Sequence, residues 1–88
     1  MIINKSQALQ IVTKNGLHLK TLPSRFQKDK EIVLAAVNND GFAIVDIDKK
    51  FLNDKEVALQ AVQNNKLAYL LLINTNLMED KDILALVT

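Results

Sequence analysis

Acids beside a lysine are the residues of this chain that most invite a chemical reading. Asp29-Lys30-Glu31 returns as Asp54-Lys55-Glu56 and again as Asp80-Lys81-Asp82. Carboxylates two residues apart could move a proton or hold a cation. A second candidate is His18, the single histidine, with Thr21 and Ser24 close by. As a general base it needs a nucleophile or an orienting carboxylate, and no cysteine or glycine-rich elbow supplies one. A third is Asp46-Ile47-Asp48-Lys49-Lys50, which alternates acids but lacks the length and terminal glutamate of a calcium loop.

The acids have a simpler use. Asp29, Asp54, Asp80 and the related Asn4 each stand just before an apolar-periodic run. That is the N-cap position, where a short oxygen side chain accepts from free backbone N–H groups. Glu31, Glu56 and Asp82 then fall in the first turn, where the helix dipole favours negative charge. One histidine, no cysteine, and only Gly16 and Gly41 leave no thiolate site, disulfide framework or phosphate-cradling loop. The expectation is a protein that is not an enzyme and takes no cofactor or metal.

The elements that carry these acids repeat. Counting from Asn4, Asp29, Asp54 and Asp80 gives units 4–28, 29–53 and 54–79 and a partial unit 80–88, within one domain over 1–88. A period of about 25 residues marks stacked supersecondary units. Leu9, Leu34, Leu59 and Leu84 are read as one column, and Val12, Val37, Val62 and Val87 as another. Leu19, Ile44 and Tyr69 align, as do Leu22, Ile47 and Leu72. Phe26 and Phe51 meet Leu77 once a residue is inserted between Leu70 and Leu77.

Within the second unit, Ile32, Val33, Ala36 and Val37 follow the spacing of an amphipathic helix, and Leu34 widens the apolar arc so that the helix packs on two sides. Gly41, matched by Gly16, is expected to end the helix in a left-handed C′ conformation, with Asn64 or Asn65 taking that role where Lys66 replaces glycine. A short second helix should bury Ala43, Ile44 and Ile47. Pro23 and Asp48 mark a break, and a last turn points Phe26 or Phe51 inward. The fold class is therefore all-α: a short helical repeat array, about three helix-turn-helix units plus a final helix, forming a compact solenoid or bundle.

A net charge of +1, with lysines interleaved among acids, is no footprint for nucleic acid. The N-terminal stretch lacks a secretory pattern, and the longest apolar run, 67–73, is far short of the ~20 residues that span a bilayer. The cytoplasm is the default location, with export by a signal-independent route left open. The outward columns of the first helices form an amide-rich strip that includes Gln10, Asn38, Asn39, Gln60, Gln63 and Asn64. Leu70 and Leu71 make the third unit apolar on every side, so Leu71 is expected to contribute to self-association or to meet a next repeat. Those eight residues are the candidate partner-binding set.

The stretch "DKEIVLAAVNNDGFAIVDIDKKFLND" resembles the tandem-repeat family known as domain of unknown function 4116. Its units run from an acid and a basic residue through Glu-Val-Val-Leu-Ala-Ala-Val and a polar pair to Gly-x-Ala-Leu, then a small-residue turn and a Leu or Phe. The likeness spans the chain and is strongest over 29–54; His18, Lys66 and the insertion depart from it. The resemblance implies the fold and leaves the activity open. The reading is a protein–protein interaction or structural repeat module, whose alternatives are a nucleic-acid-binding helical domain or a small enzyme acting through His18. Expected partners are another protein or further repeats of a longer chain, or a second copy in a weak homodimer; neither nucleic acid nor membrane is expected.

Overall fold

In a computed structural model, which describes residues 3–72 and 75–88, all regular elements are helical. Four α-helices form one row: α1 (Lys5–Lys14), α3 (Lys30–Asn39), α4 (Lys55–Asn64) and α5 (Lys81–Val87). A second row holds three 3₁₀ helices: η1 (Gly16–Thr21), η2 (Gly41–Asp46) and η4 (Lys66–Leu72). The short turns α2 (Ser24–Gln27), η3 (Lys49–Phe51) and η5 (Asn76–Glu79) lead from each 3₁₀ helix to the next α-helix. α1 packs on α3, α3 on α4, and α4 on α5, while η1 packs on η2 and η2 on η4. The long dimension follows that order, at 42 × 21 × 15 Å.

The core lies between the two rows. α3 buries Ile32, Val33, Ala36 and Val37, the residues that a 3.6-residue period places on one side. Val12, Val37 and Val62 are all fully buried. From the second row come Leu19, Ala43, Ile44, Ala68 and Leu72, and Phe26, Phe51 and Leu77 close each turn from below. Arg25 lies over the Phe26 ring at 4.4 Å from its centroid, and Lys50 over Phe51 at 5.0 Å, so a cation covers the open side of both aromatics.

One expectation is refined and two need correction. First, the short second helix of each stretch is present and is wound as a 3₁₀ helix. Six residues at three per turn suffice to bury one side, and the tighter winding suits so short a piece. Second, no described residue has positive φ, glycine or otherwise. Asn15, Asp40 and Asn65 end the α-helices in extended conformations, φ −152°, −145° and −148°. Each then caps the following 3₁₀ helix by accepting from the N–H of Leu17, Phe42 or Leu67.

The glycines are needed for space. A Cβ on Gly16 would strike the carbonyl oxygen of Ala36, and one on Gly41 the carbonyl oxygen of Ala61, each on the next α-helix. The residue at the corresponding distance from Asp80 is Val87, at the end of α5, and there Lys66 is tolerated. Third, with Asp80 as cap, Ile83 takes the place of Ile32 and Val57, and Leu84 that of Val33 and Ala58. Leu84 and Val87 therefore sit one position earlier than the columns of Leu9 and Val12 proposed for them. Leu72 is buried like Leu22 and Ile47, which narrows the insertion to the stretch between Leu72 and Leu77; Ile73 lies outside the described residues.

Candidate interaction surfaces and the contacts that build them

The acids serve as helix caps. Asp29 Oδ1 accepts from the Glu31 N–H at 3.0 Å, Asp54 Oδ1 from Glu56 and Val57, and Asp80 Oδ1 from Asp82 and Ile83. Asn4 and Gln7 form a reciprocal capping box, at 2.8 and 2.9 Å.

The second carboxylate oxygen of each cap has a different task. Lys5 Nζ sits 3.0 Å from Asp29 Oδ2 and 2.8 Å from Glu31. Lys30 makes the same pair of contacts with Asp54 and Glu56, and Lys55 with Asp80 and Asp82. The first lysine of α1, α3 and α4 thus clamps the acidic start of the next helix in the row. Partial desolvation pushes the Asp29 carboxyl up, but the Lys5 ammonium and the Glu31 N–H outweigh it and hold the group below its ordinary range. Asp54 and Asp80 are lowered against the same penalty by Lys30 and Lys55, with backbone N–H groups helping. The lysines are raised, Lys5 first by Glu31 and then by Asp29.

A second tie runs backward along the chain. Asn39 Oδ1 accepts from the Gly16 N–H at 2.7 Å while its Nδ2 donates to the Thr13 carbonyl at 2.8 Å. Asn64 does the same for the Gly41 N–H, at 2.6 Å, and the Asn38 carbonyl, at 2.9 Å. One amide therefore satisfies an orphan donor of a 3₁₀ helix and an orphan acceptor of an α-helix end. Both glycines lack a Cβ and donate to this amide, so the close approach and the staple depend on each other.

The candidate partner-binding residues separate into four groups. Asn39 and Asn64 have both polar ends engaged inside the chain. Asn38 and Gln60 line a shallow cleft of about 290 Å³ with Leu34, Ala35 and Glu56, between α3 and α4. Gln10 and Gln63 are exposed on α1 and α4. Leu70 and Leu71 lie in the other row, on η4: Leu70 is 63% exposed, whereas Leu71 is half-buried against the core. Tyr69 is half-buried and donates its hydroxyl to the Met78 carbonyl at 2.7 Å.

His18 is exposed, although Ala43 and Ala68 in its column are fully buried. The Thr21 hydroxyl turns to the His18 carbonyl at 2.7 Å and not to the ring. Asp48 caps η3 through the Lys50 N–H. Among the described residues, no group of three or more His, Cys, Asp or Glu could hold a metal ion, and no helix is long and apolar enough to cross a membrane.

One surface was anticipated only at Leu70. The large exposed apolar side chains are Leu17, Phe42 and Leu67, each second in its 3₁₀ helix, and Val45 and Leu70 three residues further on. In a 3₁₀ helix, side chains three apart eclipse, so these two columns lie side by side along the outer face of the second row. Their recurrence was visible in the sequence. That Leu17, Phe42, Val45 and Leu67 face water was not, because the sequence reading did not fix how the short second helices wind.

No match was found among curated proteins or among solved structures. A family model does match, twice and in overlap, over residues 4–52 and 29–75, the second match starting 25 residues after the first. The matched stretches cover most of the chain, which belongs to the family described as Domain of unknown function (DUF4116).

Proposed function

We propose that this chain is a non-catalytic stack of helical repeats that binds another protein through the outer face of its 3₁₀ row. The observation that carries the reading is the exposed apolar strip. Leu17 and Phe42 are about two-fifths exposed and Val45, Leu67 and Leu70 about three-fifths. Side chains scattered singly on a surface need no explanation, but five that recur on neighbouring 3₁₀ helices of a small domain fit a contact site. The lysine clamps and asparagine staples recur at a nearly constant offset, which supports the repeat reading. The staples also tie the starts of η1 and η2 to the following α-helix, so those parts of the strip sit on a fixed support. The exposed His18, whose neighbouring Thr21 hydroxyl turns to its backbone carbonyl, supports the non-catalytic half of the proposal.

The test is capture of partners from cell extract by the wild-type chain and by the double variant Phe42→Glu, Leu67→Glu. Both sites are on the surface, so thermal melts should nearly coincide. A protein retained by the wild type and lost with the variant is the expected result. An identical set retained by both would overturn the assignment of this face.

A further inference from the structure

The two ends of the stack are chemically unlike, and we infer that the α5 end is a docking face for a helix that begins Asp-x-(Asp/Glu)-(Ile/Val), the start of a further unit of the same kind. The inference rests on the repeat reading above and adds a partner, at a site separate from the 3₁₀ strip.

The three internal interfaces show what such a face receives. At each, a lysine directly after a helix cap reaches the cap acid and the acid two residues further on in the next helix. Lys81 holds that same position on α5. Among the described residues, no acid lies within ion-pair distance of it.

Burial tells the same story. Ile32, Val57 and Ile83, three residues after their caps, are fully buried, whereas Gln7 at that place in α1 is exposed. This column therefore faces the preceding helix. One residue on, Ala8, Val33 and Ala58 are buried but Leu84 is half-exposed, so that column faces the following helix.

Where α1 is open it carries Asn4, Ser6 and Gln7, polar and uncharged, in place of acid, acid and Ile or Val. Where α5 is open it keeps the interior pattern, Lys81 with Leu84. The α5 face is thus complementary to an acid-capped, Ile- or Val-bearing helix start. It is not complementary to the chain's own α1, so copies do not propagate head to tail. Without that mismatch, a heterologous contact of this type would build open filaments.

The experiment makes α1 into an acceptor while disabling α5. The full chain carrying Asn4→Asp, Ser6→Glu, Gln7→Ile and Lys81→Glu is mixed with wild type, and the complex is followed by analytical ultracentrifugation and calorimetry. Each component alone should be monomeric and the mixture should form a 1:1 complex. Putting Lys81→Glu into the wild-type component should weaken that complex at least about tenfold, because the acid pair then meets a like charge. Gln7→Ile removes a capping-box partner, so a second acceptor that retains Gln7 keeps the test valid should the first fail to fold. A folded acceptor that does not bind wild type overturns the inference. So does a complex indifferent to Lys81→Glu, which would reflect indiscriminate apolar association. The lateral-face reading fails separately, through partner capture that Phe42→Glu, Leu67→Glu leaves unchanged.

Discussion

The side-chain amide of Asn39 takes the Gly16 N–H at 2.7 Å and returns a hydrogen bond to the Thr13 carbonyl at 2.8 Å, across more than 20 residues of chain. It joins the end of α3 to the junction between α1 and η1, and Asn64 repeats the arrangement one stretch later. Two polar groups that helix ends leave unpaired are met by one side chain. Asn39→Ala should therefore cost ~1–2 kcal/mol in chemical denaturation, since the Gly16 N–H is partly buried and loses its acceptor. Asn39→Asp keeps the acceptor but not the donor and should fall between. A variant as stable as wild type would mean that water replaces the amide without cost.

Gly41→Ala should destabilise by about 1–3 kcal/mol, because the new Cβ meets the Ala61 carbonyl oxygen and lies 3.0 Å from Asn65 Cβ. Gly41→Asn should be at least as harmful. A left-handed site would show the opposite order, because asparagine adopts that conformation with relative ease. Lys66→Gly should be neutral or lose ~0.5–1 kcal/mol from added unfolded-state freedom, as nothing at that position demands a missing Cβ. Thermal melts of the three variants settle the order.

Asp54 both caps α4 and receives Lys30, so its substitutions separate the two roles. Asp54→Ala should lower stability by ~0.5–2 kcal/mol. Asp54→Asn retains a capping oxygen and should lose less, mainly at low salt. Lys30→Ala should produce a smaller drop in Tm than Asp54→Ala, because its side chain is 44% exposed and its ion pairs are screened. Equal losses for Asp54→Asn and Asp54→Ala would assign the stabilisation to charge, not to the cap.

Stability should be flat between about pH 5 and pH 9 and fall on either side. Asp29, Asp54 and Asp80 have lowered pKa values in the folded state. Their contribution is present above the unfolded value of about 3.9 and is lost as the pH falls through the folded one. Lys5, Lys30 and Lys55 are raised, so their share is complete below about 10.4 and disappears as the pH rises through the higher folded values. Urea midpoints across pH 2–12 check both limbs, and replacing the three aspartates with asparagine should flatten the acid limb.

Leu71→Asp should destabilise the fold, because Leu71 packs against the core, whereas Leu70→Asp should change stability by no more than ~0.5 kcal/mol. Light scattering with thermal melts distinguishes the two sites. A Leu71→Asp chain that stays fully folded would place that side chain on the surface beside Leu70.

Much of this architecture was legible because it depends on neighbours in sequence. Asp29, Asp54, Asp80 and Asn4 satisfy N–H groups two or three residues away, so the helix starts follow from residue type and position alone. Ile32, Val33, Ala36 and Val37 announce a buried side through spacing. Phe26 and Phe51 mark the closing turn by recurrence. The tertiary structure decided whatever depends on a partner one stretch away. Gly16 and Gly41 suggested a left-handed turn, whereas the carbonyls of Ala36 and Ala61 that exclude a Cβ there lie some 20 residues downstream. Lys5, Lys30 and Lys55 looked like scattered charge until the next helix start came within 3 Å or so of each. Leu17, Phe42 and Leu67 recur like core residues yet face water, because a helix of three residues per turn aims them differently from one of 3.6. Short-range hydrogen bonding is written in the order of residues, whereas a close approach between distant segments is decided only when they pack.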